Sequence, residues 1–177
     1  LDEVGKVHSL KMTAGVELKI VAPSRPVWIL TDRNRLTQVL FNFLSNAIKN
    51  TQHGCITLGA VQRDGWLDLF VSDTGCGMPE NKIPLIFNRF EKLNDFVQGT
   101  GLGLSICQSI AERLGGYIDV QSQLGVGSTF SFCLPYRADA ELEVAELQQP
   151  VAASVQKHPD RKRKVILVAE DVEANYR

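Results

Sequence analysis

Apolar residues recur at two different periods along this chain, and the switches between them mark its elements. From Arg35 to Thr51 (RLTQVLFNFLSNAIKNT), Leu36, Val39, Leu40, Phe43, Leu44, Ala47 and Ile48 fall three and four apart, the stripe of an amphipathic helix. Asp32 stands just before this run, where an N-cap is wanted. A second helix, opening at Gly99-Thr100-Gly101-Leu102-Gly103-Leu104, is expected to run to about Leu114. It carries Leu102, Ile106, Ile110 and Leu114 on one stripe and ends at Gly115-Gly116. Elsewhere the period is two. Val16, Leu18, Ile20 and Ala22 alternate as in a half-buried strand, and Val27 to Leu30 forms a second short one after the bend at Pro23 and Pro26. Cys55 to Arg63 and Trp66 to Ser72 flank the hairpin signal Arg63-Asp64-Gly65. Tyr117 to Ser122 and Thr129 to Leu134 flank the turn Leu124-Gly125-Val126-Gly127-Ser128. Pro79 suits the first turn of a short helix, which Pro84 breaks or restarts, and Ile83, Ile86, Phe87 and Phe90 give that segment apolar surface. Helices mixed with hairpin strands predict an α+β fold, a two-layer α/β sandwich. Its mixed, mostly antiparallel sheet is covered on one face by helices.

The pattern also divides the chain. Residues 1–14 read as the end of an upstream linker or helix, and 15–136 as the domain just outlined. The stretch 137–163 reads as a linker, with Asp139, Glu141, Glu143 and Glu146 first and a basic run from Lys157 to Lys164 later. Residues 164–177 open a new element with the apolar run Val165 to Ala169, followed by Glu170-Asp171. The first residue is not methionine, so the 177 residues are expected to be a piece of a longer protein. A net charge of −1 gives no electrostatic case for nucleic acid. No apolar run approaches the roughly 20 residues of a membrane helix. Cys55, Cys76, Cys107 and Cys133 lack the spacing of a zinc site or of a small disulfide framework, so reduced thiols are expected.

Three features carry candidate chemistry. On the first long helix Gln38, Asn42, Asn46 and Lys49 share the face away from the apolar stripe. An amide oxygen suits a hard cation such as magnesium, and a lysine one turn away suits a phosphate. Next, a strand runs into Asp73-Thr74-Gly75-Cys76-Gly77-Met78. A carboxylate there can accept a hydrogen bond from an exocyclic amine, while the glycines leave space for a flat ring. Last, Gly99 to Leu104 opens a helix, where free N–H groups favour a polyphosphate. Taken singly, each has an ordinary reading as a solvated face, a plain turn or a helix start.

In this order the three resemble the ATP-binding catalytic domain of sensor histidine kinases, within the Bergerat-fold ATPases, over about Val16 to Tyr136. Asn42 to Thr51 is similar to that family's N box and Asp73 to Gly77 to its first glycine box. Phe87 to Phe90 is similar to its F box, Gly99 to Leu104 to its second glycine box, and Gly125 to Phe130 to its last hairpin. The resemblance implies that the chain binds Mg-ATP and transfers the γ-phosphoryl group to a histidine on a separate dimerisation domain. Asn46 would coordinate magnesium, with Asn42 helping to hold the metal or its waters, and Lys49 would reach phosphate. Asp73 would read the adenine amine, with Asn50, Gly75, Gly77 and Met78 lining that end and Thr129 supporting it. Gly99, Thr100, Gly101, Leu102, Gly103 and Leu104 would cradle phosphates under a lid from Arg89 to Gln98, where Arg89 or Lys92 would contact them. Two positions depart from the usual pattern: Asn50 where an aromatic is common, and Gln98 where an extra glycine is common.

None of His8, His53 and His158 lies in a helix resembling the family's H box, so the phosphoacceptor is expected upstream of Leu1. Val165-Ile166-Leu167-Val168-Ala169-Glu170-Asp171, running on to Asn175-Tyr176-Arg177, resembles the first strand and acidic pair of a response-regulator receiver domain, which would make the parent a hybrid sensor kinase. The resemblance further implies a cytoplasmic, monomeric domain whose parent is a homodimer and can be membrane-anchored. A Bergerat ATPase motor and a non-catalytic nucleotide-binding interaction module are the rival readings. The motor reading suffers from Asn42 standing where a water-handling glutamate would be needed.

Overall fold

A computed structural model describes residues 1, 4, 15–23, 25–88, 90 and 101–136, and the backbone of 165–167. Strands β1 (Val16–Val21), β3 (Gly54–Arg63), β4 (Trp66–Asp73), β5 (Tyr117–Gln123) and β6 (Gly127–Pro135) form one sheet in the order β1-β3-β4-β6-β5. Only β1 and β3 run parallel; the other three pairings are antiparallel. This is the mixed, mostly antiparallel sheet that the hairpin signals predicted. Helices α1 (Arg33–Asn50) and α2 (Gly103–Arg113) pack on one face. A 3-10 helix, Glu80–Leu85, keeps Pro84 inside it.

Helix α1 starts where its cap dictates. The Asp32 carboxylate accepts from the backbone N–H groups of Asn34 and Arg35 at 3.0 and 3.2 Å, so the helix begins two residues before the periodic run. Leu36, Val39, Leu40, Phe43, Leu44 and Ala47 are buried against the inward rows of the sheet, which include Ile56, Leu58, Leu69, Val71, Phe130 and Phe132. Each fully buried Leu or Phe side chain contributes roughly 1.5–3 kcal/mol. Together they outweigh the roughly 1–3 kcal/mol that one badly paired polar group costs. The helix can therefore carry an awkward polar face without losing its place.

One expectation about α2 needs correction. Ile106 is 43% exposed, and the buried residues of α2 are Cys107, Ile110 and Ala111. Ile110 and Leu114 of the expected stripe do face the core, but a strict four-residue repeat drifts around a 3.6-residue helix, and the stripe takes in Leu104, Cys107 and Ala111 in place of Ile106. Ile86 and Phe87 anchor their segment in the core, while the apolar surface of Phe90 stays outside it. Phe90 is 72% exposed with a left-handed backbone (φ 68°), and its N–H bonds the Gly101 carbonyl at 2.9 Å. Strand β7 (Val165–Leu167) pairs antiparallel with β2 (Ile29–Thr31) in a separate two-stranded sheet. Glu170 and Asp171 lie outside the described residues.

Candidate functional site, a two-ended cleft at the ends of α1 and β4

The first end is built by two helices. Asn42 and Asn46 are half-buried, one turn apart on α1, and the Asn46 Nδ2 donates to Asn42 Oδ1 at 3.2 Å. That bond orients both amides and turns the Asn46 oxygen away as an acceptor. Opposite them α2 begins at Gly103. A Cβ on Gly103 would overlap the Asn42 Nδ2 and come within 2.8 Å of its Oδ1. The second glycine motif therefore meets the polar face of α1 in direct contact. Leu102 supplies no side-chain cap, so the first-turn N–H groups of α2 are left for an anion. Magnesium fits this chemistry through a hard amide oxygen on Asn46, with phosphate and water completing a shell that few protein groups supply. Among the described residues, no group of three or more His, Cys, Asp or Glu side chains could hold a metal by itself.

The second end is built by the sheet. Asp73 is the last residue of β4, registered opposite Ser128 of β6, and is 7% exposed. Its Oδ1 accepts from the Gly75 N–H at 2.9 Å, and the Ser128 N–H also donates to the carboxylate. Burial pushes the Asp73 carboxyl above the usual carboxylate range, against the opposing pull of those two N–H groups. Gly75 has no room for a side chain, because a Cβ would overlap the Asn50 carbonyl oxygen at the end of α1. Cys76 N–H donates to that same carbonyl at 3.2 Å. Gly77 abuts the Gln123 carbonyl, and the Met78 N–H donates to Ser122 Oγ at 2.8 Å. The glycine loop is thus clamped between the helix end and the β5–β6 hairpin.

Most of the expected site residues come together in these two groups. Asn42, Asn46, Leu102, Gly103 and Leu104 gather at the helical end; Asn50, Asp73, Gly75, Gly77 and Met78 gather at the sheet end. Lys49 is exposed in the last turn of α1. Gly101 accepts the Phe90 hydrogen bond. Arg89, Lys92, Gly99 and Thr100 lie outside the described residues. Thr129 is a correction. Its Oγ1 lies 2.8 Å from Ser72 Oγ, on the sheet face away from Asp73, because neighbouring strand residues point to opposite faces. Ser128 takes the place beside the carboxylate, and its hydroxyl lies 2.9 Å from that of Ser122. Counting alternation back from the buried Phe130 and Phe132 would have found it.

The family model described as histidine kinase-, DNA gyrase B-, and HSP90-like ATPase matches residues 31–138, and the chain belongs to that family. Its similarity runs further, to sensor histidine kinases. The sensor histidine kinase RcsC of Escherichia coli K12 is 42% identical over 120 residues, which cover 65% of this chain and 12% of RcsC. The nucleotide-free catalytic domain of the histidine kinase ThkA superposes with a TM-score of 0.68 at 30% identity, covering 76% of this chain and 89% of that one. Full-length ShkA in complex with AMPPNP also superposes with a TM-score of 0.68, at 34% identity, over 76% of this chain and 29% of ShkA. The chain thus spans about an eighth of RcsC's length.

Proposed function

We propose that this chain is the catalytic domain of a protein-histidine kinase, which binds Mg-ATP and passes the γ-phosphoryl group to a histidine on a separate dimerisation domain. The observation that carries this reading is the meeting of Asn42 with Gly103, which sets a magnesium-suited amide pair beside an uncapped helix N-terminus. Asp73 stands at the end of β4, whose glycine loop packs on Asn50 at the C-terminal end of α1, ready to accept from an adenine amine. Asn46 would hold the metal and Asn42 would orient it. Lys49, with Arg89 or Lys92, would neutralise phosphate charge. Asp73, with Gly75, Gly77 and Met78, would receive the base, and Asn50 would line the nucleotide beside them. Bound magnesium would neutralise charge on the phosphates; the chain's own residues position the nucleotide, and positioning with electrostatics carries phosphoryl transfer generally. Asn42 has no useful basicity near neutral pH, which favours delivery to an imidazole, already a nucleophile, over hydrolysis. The AMPPNP held by ShkA supports ATP as the ligand. The apolar and acidic pattern of 164–177 supports a receiver domain as the downstream partner, in a hybrid parent that acts as a homodimer.

The test is transfer of label from γ-labelled ATP to a supplied histidine-bearing dimerisation domain. Acid-labile label on that domain, lost with Asn46→Ala, is expected. Free phosphate released at about one per second or faster, with no label on the histidine, would favour the motor reading.

A further inference from the structure

Asn50 occupies a distinctive place between the two ends of the cleft. It is the last residue of α1, four residues after Asn46 and therefore on the same face. Its side-chain Nδ2 donates to the Asn46 carbonyl at 2.8 Å. A carbonyl oxygen can only accept, so this bond fixes which way the amide points and sends Oδ1 outward. The neighbour of Oδ1 is the Cys76 thiol, 3.9 Å away and a weak donor. The backbone carbonyl of Asn50 meanwhile packs on Gly75, whose own N–H holds the Asp73 carboxylate. Asn50 thus touches the metal residue through its side chain and the base residue's loop through its backbone. Asn50 and Cys76 are both exposed, so this wall is open to a ligand.

A nucleotide spanning the cleft has its base at Asp73 and its phosphates at Asn46 and Gly103. The group that joins base to phosphates is the sugar. We infer that Asn50 Oδ1 accepts a hydrogen bond from a ribose hydroxyl and makes the site selective for ribonucleotides over sugars lacking that hydroxyl. This rests on the nucleotide reading above and adds the sugar to it. An acceptor already oriented by its own helix loses little freedom on binding, which is the condition under which one hydrogen bond shows in affinity. The cysteine thiol that attends it is easily displaced by a better donor.

The test compares Mg-ADP with Mg-2′,3′-dideoxy-ADP by calorimetry, on the wild-type chain and on Asn50→Ala. Wild type should prefer ADP by about three- to tenfold, the range of one neutral hydrogen bond, and Asn50→Ala should bring the two ligands to equal affinity. The ratio of the two ligands is the readout, so a general loosening of the α1 terminus does not imitate the result. Equal affinity in wild type, or a preference that persists in Asn50→Ala, would overturn the inference while leaving ADP binding itself intact. If Asn50→Ala weakened both ligands equally, the preference would persist and the sugar assignment would fail. Absence of binding by either ligand would overturn the nucleotide reading and this inference with it.

Discussion

Strand β4 carries two buried aspartates, Asp68 and Asp73, which are 8% and 7% exposed. They lie an odd number of residues apart, so they face opposite sides of the sheet. Asp68 has a cation: Arg63 Nε lies 2.9 Å from its Oδ2. It is also hydrogen-bonded to the Cys133 thiol, which burial raises to about 12. Asp73 receives two backbone N–H groups, and among the described residues no salt bridge to it is found. A buried carboxylate that a fold needs for itself is normally paired, because leaving it unpaired is costly. One that is only half satisfied has acceptor capacity in reserve for a ligand. The same strand thus sets a charge-paired aspartate beside one with acceptor capacity left over, the one proposed to read the base.

This contrast can be broken most strongly at Asp73. Adenine presents an amine where guanine presents a carbonyl, and the wrong base leaves a buried acceptor unpaired. That mismatch costs roughly 1–3 kcal/mol. ADP should therefore outcompete GDP in wild type. In Asp73→Asn that preference should collapse with little net change in thermal stability at neutral pH, since removing a buried charge offsets leaving one amide oxygen to serve both the Gly75 and the Ser128 N–H. A competition titration and a melting curve check both halves. The next largest effect is expected at the helical end. Gly103→Ala would place a methyl group on the Asn42 amide, a side chain that can swing aside. Nucleotide affinity should fall about tenfold, close to 1.4 kcal/mol, while the melting temperature barely moves.

Asp68→Asn should behave in reverse. Its partner Arg63 is 72% exposed, so solvent screening keeps the pair to about 1 kcal/mol or less. A small drop in melting temperature with unchanged ADP affinity is expected; a selective loss of ADP binding would mean that the two aspartates had been assigned the wrong way round. The smallest signal is the pH dependence. Because burial raises the folded-state pKa of Asp73, its contribution to stability is present in acid and fades as pH rises through that value. Base recognition needs the ionised acceptor, so ADP affinity should rise across the same window, above the usual carboxylate range. The inflection should be missing from the profile of Asp73→Asn.

Much of this was legible in the residues themselves. Asp32 announced the start of α1, and the stripe from Leu36 to Ala47 announced its buried face, because a cap and a helical period are local properties. Asp73 and its two glycines could be placed at a strand end for the same reason. What failed depended on tertiary packing. Ile106 fits a four-residue repeat on paper, but the sheet selects the Cys107–Ala111 side of α2. Thr129 and Ser128 are adjacent and chemically alike, and only the pairing register with β4 decides which one meets Asp73. The close approach of Gly103 to Asn42 joins residues sixty-one positions apart, and nothing local could report it.

In the proposed site one nucleotide bridges both ends, and a crossed titration tests that most directly. Affinity for ADP and GDP, each with and without magnesium, would be measured on wild type, Asn46→Ala and Asp73→Asn. The prediction is a clean separation: Asn46→Ala loses the magnesium dependence but keeps the preference for adenine, and Asp73→Asn loses the preference but keeps the magnesium dependence. Magnesium dependence surviving in Asn46→Ala together with base preference surviving in Asp73→Asn would contradict the two-ended site.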